Sequence, residues 1–236
     1  MHIDFNCDVG EGLDNEHLLM PLISSCNIAC GGHAGSVEII DKVIALAIEN
    51  DVKIGAHPGY PDTANFGRVI MDISDEELQQ SIEDQLTLFK ERTALQNATV
   101  HHVKPHGALY NLIAVNREKA MLVLRAVQAV FDKVKLYVPY NSEIEKVALE
   151  NGVEVCYEAF ADRNYNEDLT LVSRSQPNAI LTNPEEIVAH VSRMAKESKV
   201  LTVSGAEKSI KAQTFCIHGD NENVLNILKE LQQKLT

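Results

Sequence analysis

Short apolar runs and helix-period patterns alternate along the chain from one end to the other, and that alternation predicts the fold. Runs dense in Val, Ile, Phe and Cys predict strands over residues 3–8, 26–30, 53–57, 99–104, 135–138, 154–157, 200–203 and 213–218. The helices between them have recognisable starts. Ser74 followed by Glu77 reads as a capping box, after which Leu78, Ile82, Leu86 and Phe89 mark one face. Asn183-Pro184 with Glu186 opens another helix, with Ile187, Val188, Val191, Met194 and Ala195 as its apolar side. Ala120, Val123, Leu124, Val127 and Val130 repeat the spacing, and Asp220 is read as the start of a last helix carrying Val224, Leu225, Leu228, Leu231 and Leu235.

Regular strand-then-helix order, with no Ser/Gly-rich linker and no break in composition, predicts one α/β domain over residues 1–236 built on a parallel sheet. Seven or eight such units suggest a closed, irregular TIM-like βα barrel. A doubly wound open sheet has the same periodicity and remains the competitor.

Composition narrows the function more than the fold. With 45% hydrophobic and 23% charged residues the chain is of globular type, and at 236 residues it needs no disulfide or metal staple. A net charge of −13 speaks against nucleic acid, whose phosphates demand clustered Lys and Arg. The opening Met1-His2-Ile3-Asp4-Phe5-Asn6 has no basic flank, and no stretch approaches the ~20 apolar residues of a membrane span, so a cytoplasmic protein is expected. The cysteines at 7, 26, 30, 156 and 216 are odd in number and widely spaced, which fits reduced, buried thiols.

Polar residues fall unevenly, and this is the informative feature. Clusters rich in acid, imidazole and base stand at the C-terminal ends of six predicted strands: Asn6 to Gly12, Asn27 to Gly35, Gly55 to Gly59, His101 to Gly107, Phe160 to Arg163, and Cys216 to Asp220. In parallel α/β folds that edge of the sheet carries the active site. Four histidines (33, 57, 106 and 218) converge there with Asp8, Glu11, Asp162, Lys104 and Arg163. Three chemistries could use the set. A divalent metal held by Asp8, His33 and His57 could activate water. Metal-free acid–base work could pair a carboxylate base with a His or Lys. Phosphoryl or carboxylate chemistry could use Lys104, Arg68, Arg163 and Arg174. No P-loop, dinucleotide fingerprint or nucleophile elbow stands in the sequence. His101 and His102 alternate along a strand and receive no role. Tyr110 and Asn111 read as helix-capping residues, Arg174 and Asp62 as loop ion pairs, and His2, His17 and His190 as surface or packing residues.

Several motifs in order resemble the LamB/YcsF family: NCDVGEG at 6–12, NIACGGHAG at 27–35, GAHPGYPD at 55–62, FGR at 66–68, VKPHGALYN at 103–111, FADRNY at 160–165 and CIHGD at 216–220. The resemblance runs from Asp4 to about Asn226. It implies a barrel of the glycoside hydrolase and carbohydrate deacetylase type. It also implies work in a complex with two further subunits, B and C, that opens 5-oxo-L-proline to L-glutamate while hydrolysing ATP. Four positions depart from the family: Gly32 replaces a bulky residue, Ser36 an acid, Val69 a second Arg, and Leu169 a Gly.

That chemistry needs a base near water, cations near developing negative charge, and a donor for the ring nitrogen. Asp8 or Glu11 is the expected base, with Lys104 and Arg163 as anion clamps. His57, His106 and His218 are expected as proton donors or metal ligands. Asp162 completes the catalytic candidates; Asn6, Asn27, His33, Arg68, Arg163, His218 and Asp220 are the substrate-binding candidates. Two rivals stand beside this: a stand-alone metal-dependent amidohydrolase or deacetylase that acts on a small amide without ATP, and a non-catalytic 5-oxoproline-binding subunit. A homo-oligomer is compatible with the main reading as well as with these rivals.

Overall fold

The computed structural model describes residues 3–235, so His2 lies outside the described residues. Among these, seven strands close into a parallel barrel: β1 (Asp4–Val9), β2 (Ser25–Ala29), β3 (Lys53–His57), β4 (His102–Val103), β5 (Lys135–Pro139), β6 (Val155–Phe160) and β9 (Thr214–Cys216). β9 pairs with both β6 and β1 and closes the ring, which rules out the open-sheet alternative. The strand expected at 200–203 is not part of the barrel. It is β7 (Lys199–Leu201), which forms an antiparallel pair with β8 (Glu207–Ser209). The reason is in its side chains: Val200 is buried, but Leu201 and Val203 are exposed, whereas a barrel strand is covered on both faces.

Helices α2 (Val37–Glu49), α3 (Asp75–Leu95), α4 (Gly107–Val115), α5 (Arg117–Val130), α6 (Glu143–Glu150), α7 (Pro184–Glu197) and α8 (Val224–Leu235) follow the strands, after the short α1 (Glu16–Leu19). The Ser74–Glu77 capping box forms as expected, and Asn183 caps α7 ahead of Pro184. Leu78, Ile82, Leu86 and Phe89 are completely buried, a face whose side chains contribute about 1.5–3 kcal/mol each on transfer from water. The last helix begins at Val224 rather than Asp220, because Asp220 is drawn away by Arg68 and Arg174, and Asn221 donates to the Leu181 carbonyl.

Side chains alternate between the barrel lumen and the helices. The outward set (Cys7, Cys26, Ile28, Ile54, Ala56, Val103, Leu136, Val138, Phe215) is apolar and buried. The lumen is polar. Asn6 donates to Thr214 Oγ1 at 2.8 Å, Asn27 donates to Asn6 Oδ1 at 2.7 Å, and His102 Nε2 donates to Asn27 Oδ1 at 2.7 Å. Below them Asp4 accepts from Ser25 and Thr214. The His102 ring stacks on Tyr137 at 3.7 Å and crosses the barrel directly under Gly55, where a Cβ would lie 2.1 Å from His102 Nε2. Gly55→Ala is therefore expected to cost about 1–3 kcal/mol by overpacking. Chemical denaturation measures it, and an unchanged midpoint would show that the ring can move aside.

Candidate functional site

The topmost layer of the lumen is charged. Lys104, one residue past β4, is 2% exposed, and its ammonium lies 2.9 Å from Asp8 Oδ1, 2.9 Å from Glu158 Oε1 and 3.0 Å from Cys216 Sγ. The ammonium donates hydrogen bonds to Asp8 and Cys216, while Glu158 is a charge partner without hydrogen-bond geometry. Burial works against its charge, but Asp8, Cys216 and Glu158 hold its ionisation well above the ordinary lysine range. Asp8 also accepts from Asn27 at 2.8 Å and faces His57 Nε2 at 3.4 Å. Burial opposes its ionisation too, yet His57 and Lys104 pull it well below the usual carboxylate range. Glu11 behaves in the opposite way: burial first, and the Asp8 charge second, push its carboxyl up. Two neighbouring carboxylates with ionisations driven apart are the arrangement that separates a charged group from a proton holder.

Beside them Glu11, His33, His57 and His106 bring one ligand-type atom each to within 4.8 Å of one another. His57 Nδ1 lies 2.7 Å from the Lys104 carbonyl, and His106 Nε2 lies 2.9 Å from the Phe66 carbonyl. A carbonyl only accepts, so both nitrogens carry hydrogen. The opposite nitrogens, His57 Nε2 and His106 Nδ1, then face each other at 2.9 Å. Two lone pairs at that distance repel, and the contact is favourable only with a proton or a cation between them. Glu11 Oε1 lies 3.3 Å from His106 Nδ1 and 3.9 Å from His57 Nε2. This donor set fits a divalent ion, with both imidazoles oriented by backbone carbonyls as metal-binding histidines usually are. The grouping differs from the expected Asp8, His33 and His57: Asp8 falls instead with Cys216 and His218 in a second group. His33 stacks on His106 at 3.6 Å and faces Glu11 Oε1 at 2.9 Å. Burial, followed by the neighbouring His57, lowers His33 to about 3 and His106 to about 2, so both are neutral near pH 7.

Asp162 is buried and accepts from His218 Nδ1 at 2.8 Å, which fixes that imidazole with Nε2 as its second face. His218, Asp8, Glu11, His57, Lys104 and His106 line one cavity of about 780 Å³. Asn6, Asn27, His33 and Asp162 do not line it; the two asparagines sit one layer below and support Asp8. One wall is the long segment between β6 and α7, anchored by Arg163, whose guanidinium donates to the Val172 carbonyl at 2.6 Å and the Ala179 carbonyl at 3.2 Å. At the mouth Arg68 and Arg174 both reach Asp220 Oδ2, at 2.9 and 3.4 Å.

Two lining residues stand outside the expected set. Glu158, buried at 2% exposure, is a lone acid inside an apolar strand, and extending that strand past Tyr157 reveals it. Tyr110 lines the cavity besides its place in α4, with its hydroxyl ionisation raised well above normal by burial and then by Glu158. The four positions expected to depart from the family pattern have distinct local settings. At Gly32 a Cβ would lie 2.4 Å from the Gln85 amide, which itself binds both backbone groups of Gly59. Ser36 caps α2. Val69 is exposed, and Leu169 holds a φ of +67°, a conformation that favours glycine.

A closed parallel barrel with carboxylates, imidazoles and an ammonium gathered under the C-terminal mouth defines a TIM-like α/β protein with a polar pocket of small-molecule size. The chain belongs to the LamB/YcsF family, whose pattern matches residues 3–236. It is 41% identical over 240 residues to the A subunit of 5-oxoprolinase from Bacillus licheniformis, covering 99% of this chain and 94% of that protein. It is 42% identical over 243 residues to the corresponding 5-oxoprolinase chain of Thermococcus sibiricus, covering 100% and 94%. The crystal structure of the lactam utilization protein from Thermus thermophilus superposes with a TM-score of 0.92 at 35% identity, covering 99% of this chain and 95% of that one. A GH113 β-1,4-mannanase shares the fold alone, at 11% identity and a TM-score of 0.54, covering 99% of this chain and 100% of that one. Among the described residues no helix is long and apolar enough to cross a membrane.

Proposed function

We propose that this chain is the A subunit of an ATP-dependent 5-oxoprolinase, opening 5-oxo-L-proline to L-glutamate in a cytoplasmic complex with two further subunits. The observation that carries this reading is the pairing of Asp8 and Glu11, two adjacent carboxyls of opposite protonation tendency, on the floor of a pocket in a chain about 40% identical to proteins of that name. A five-membered lactam resists water because its amide is resonance-stabilised. Transfer of the ATP γ-phosphoryl group to the amide oxygen would give an imidate phosphate; water adds at its carbon, the C–N bond breaks as the nitrogen takes a proton, and a second water cleaves the resulting acyl phosphate to the carboxylate and inorganic phosphate. With no phosphate-binding loop in its sequence, this chain is assigned the water attack and the ring opening rather than nucleotide binding.

Asp8, kept ionised, takes the proton of the attacking water. Glu11 holds a proton and passes it to the ring nitrogen as the C–N bond breaks. Lys104 sets a positive potential beside the carbonyl carbon. His218, whose Nδ1–H is donated to Asp162, keeps a lone pair on Nε2 that can accept from the attacking water and orient it. A divalent ion held by His57 and His106 would supply a Lewis acid and lower the pKa of water; Glu11 would join them only in its ionised form, so it either ligates the ion or carries the proton.

Co-expression with the two partner subunits and an assay of glutamate release, with and without ATP, tests the reading. Glutamate formed only with ATP and all three subunits is the expected result. Amide hydrolysis by the isolated chain without ATP, abolished by a chelator, would instead establish the stand-alone metal hydrolase that the His57–His106 contact also favours.

A further inference from the structure

The cavity is sorted by charge from floor to mouth. Its floor holds Asp8, Glu11 and Glu158 against one ammonium, all at most about a tenth exposed. Its mouth holds Arg68, Arg174 and Asp220, with side chains 42%, 31% and 36% exposed. Both guanidiniums converge on one oxygen, Asp220 Oδ2. Each guanidinium carries five N–H donors and one is spent on that oxygen, and both side chains line the cavity. The other carboxylates along the wall are engaged: Glu143 with Lys146 at 2.7 Å, and Asp168 with the backbone and hydroxyl of Thr170 at 3.0 and 2.6 Å. Asp168 keeps its charge on the neutral Thr170, so the positive excess is local to the two guanidiniums around Asp220, which suits one carboxylate and is too small for a polyphosphate.

We propose that Arg68 and Arg174 form the specificity site for the carboxylate of the substrate, with Asp220 occupying that site until the substrate arrives. This rests on the reading of the pocket as a lactam site, and it adds an orientation. A small ring bearing one carboxylate is repelled by the acidic floor and held by the mouth, so it enters ring first. The lactam carbonyl then points at Asp8 and Glu11 while the carboxylate takes over the arginine donors in bidentate form. The same loop couples the two ends. Phe66 gives its carbonyl to His106, Gly67 packs between His33 and His106, where a Cβ would lie 2.9 Å from His33, and Arg68 follows directly.

Titration calorimetry on the full-length chain tests this with 5-oxo-L-proline and its neutral isostere 5-oxo-L-prolinamide. The wild type is expected to bind the acid about tenfold more tightly than the amide. Arg68→Ala and Arg174→Ala should each remove most of that preference while changing amide affinity less than twofold. Asp220→Asn, which withdraws the internal competitor, should tighten acid binding by about threefold. Equal affinity for acid and amide in the wild type, or unchanged acid affinity in both arginine variants, overturns the assignment while leaving the lactam reading intact. Binding of neither compound overturns both. Displacement of the acid by inorganic phosphate at equal concentration would identify the arginine pair as a phosphate site and also overturn it.

Discussion

Asp8→Asn is expected to lower glutamate formation by about 10²–10⁴-fold in kcat, the range that a positioned acid–base group contributes, while the chain keeps its fold and its assembly. The substitution is nearly isosteric. The Asn carbonyl can still accept from the Lys104 ammonium, which lies 2.9 Å from Asp8 Oδ1, and Lys104 keeps Glu158 as a carboxylate partner at 2.9 Å. What disappears is the negative charge facing His57 Nε2 at 3.4 Å and the capacity to receive a proton. Asp8 is the better base of the two floor carboxyls at neutral pH because, against the effect of burial, His57 and Lys104 keep it ionised. Glu11, raised by burial and by Asp8, is more suited to carry a proton than to take one. Steady-state assays of the reconstituted complex, with a melting curve as control, decide it. A variant that turns over within threefold of the wild type would remove Asp8 from the chemistry.

The βα order and the polar strand ends make most of this architecture legible in the sequence. Strand 53–57 and the Ser74–Glu77 cap form as read, because the short run Ile54-Gly55-Ala56 between polar ends and a reciprocal cap are local signals. What sequence does not convey is which residues of a cluster face the lumen and at what height. Asn6 and Asp8 sit two positions apart on one strand and point the same way, yet one is sealed beneath the other. The same limit hides Glu158, which looks like the residue after a strand until the pairing of Glu158 with Thr214 shows that β6 continues to Phe160. The apolar run at 200–203 has the composition of a barrel strand. Its place outside the ring is set by tertiary pairing with residues 207–209 through Lys199, Val200 and Leu201, a contact no local pattern announces. The altered metal grouping has a similar origin: His106 lies beyond a proline and is held by the Phe66 and Pro58 carbonyls and the His33 ring, contacts that come from other loops.

Lys104→Met should be the most destabilising single change at the site. The ammonium is the shared counter-charge of Asp8 and Glu158, both buried, and Met fills a similar volume without charge. Removing one member of a buried ion network leaves the others uncompensated, at a cost of about 3–5 kcal/mol. For a chain of this size that is roughly a 10 °C fall in melting temperature. The deficit should also depend on pH with a definite sign. Asp8 has its folded pKa depressed with Lys104 in place, so its stabilising effect is present above the unfolded carboxylate value of about 3.9 and is lost as pH falls through the folded one. The gap between wild type and Lys104→Met is therefore widest above about pH 5 and narrows in acid. Adding Glu158→Gln to Lys104→Met neutralises one orphaned carboxylate and should recover part of the loss, whereas Glu158→Gln alone should destabilise. Non-additivity of that kind is the signature of a coupled pair in a double-mutant cycle. Additive losses, or a Lys104→Met variant that melts with the wild type, would show that water reaches the floor and that the ammonium is not what holds the two acids together.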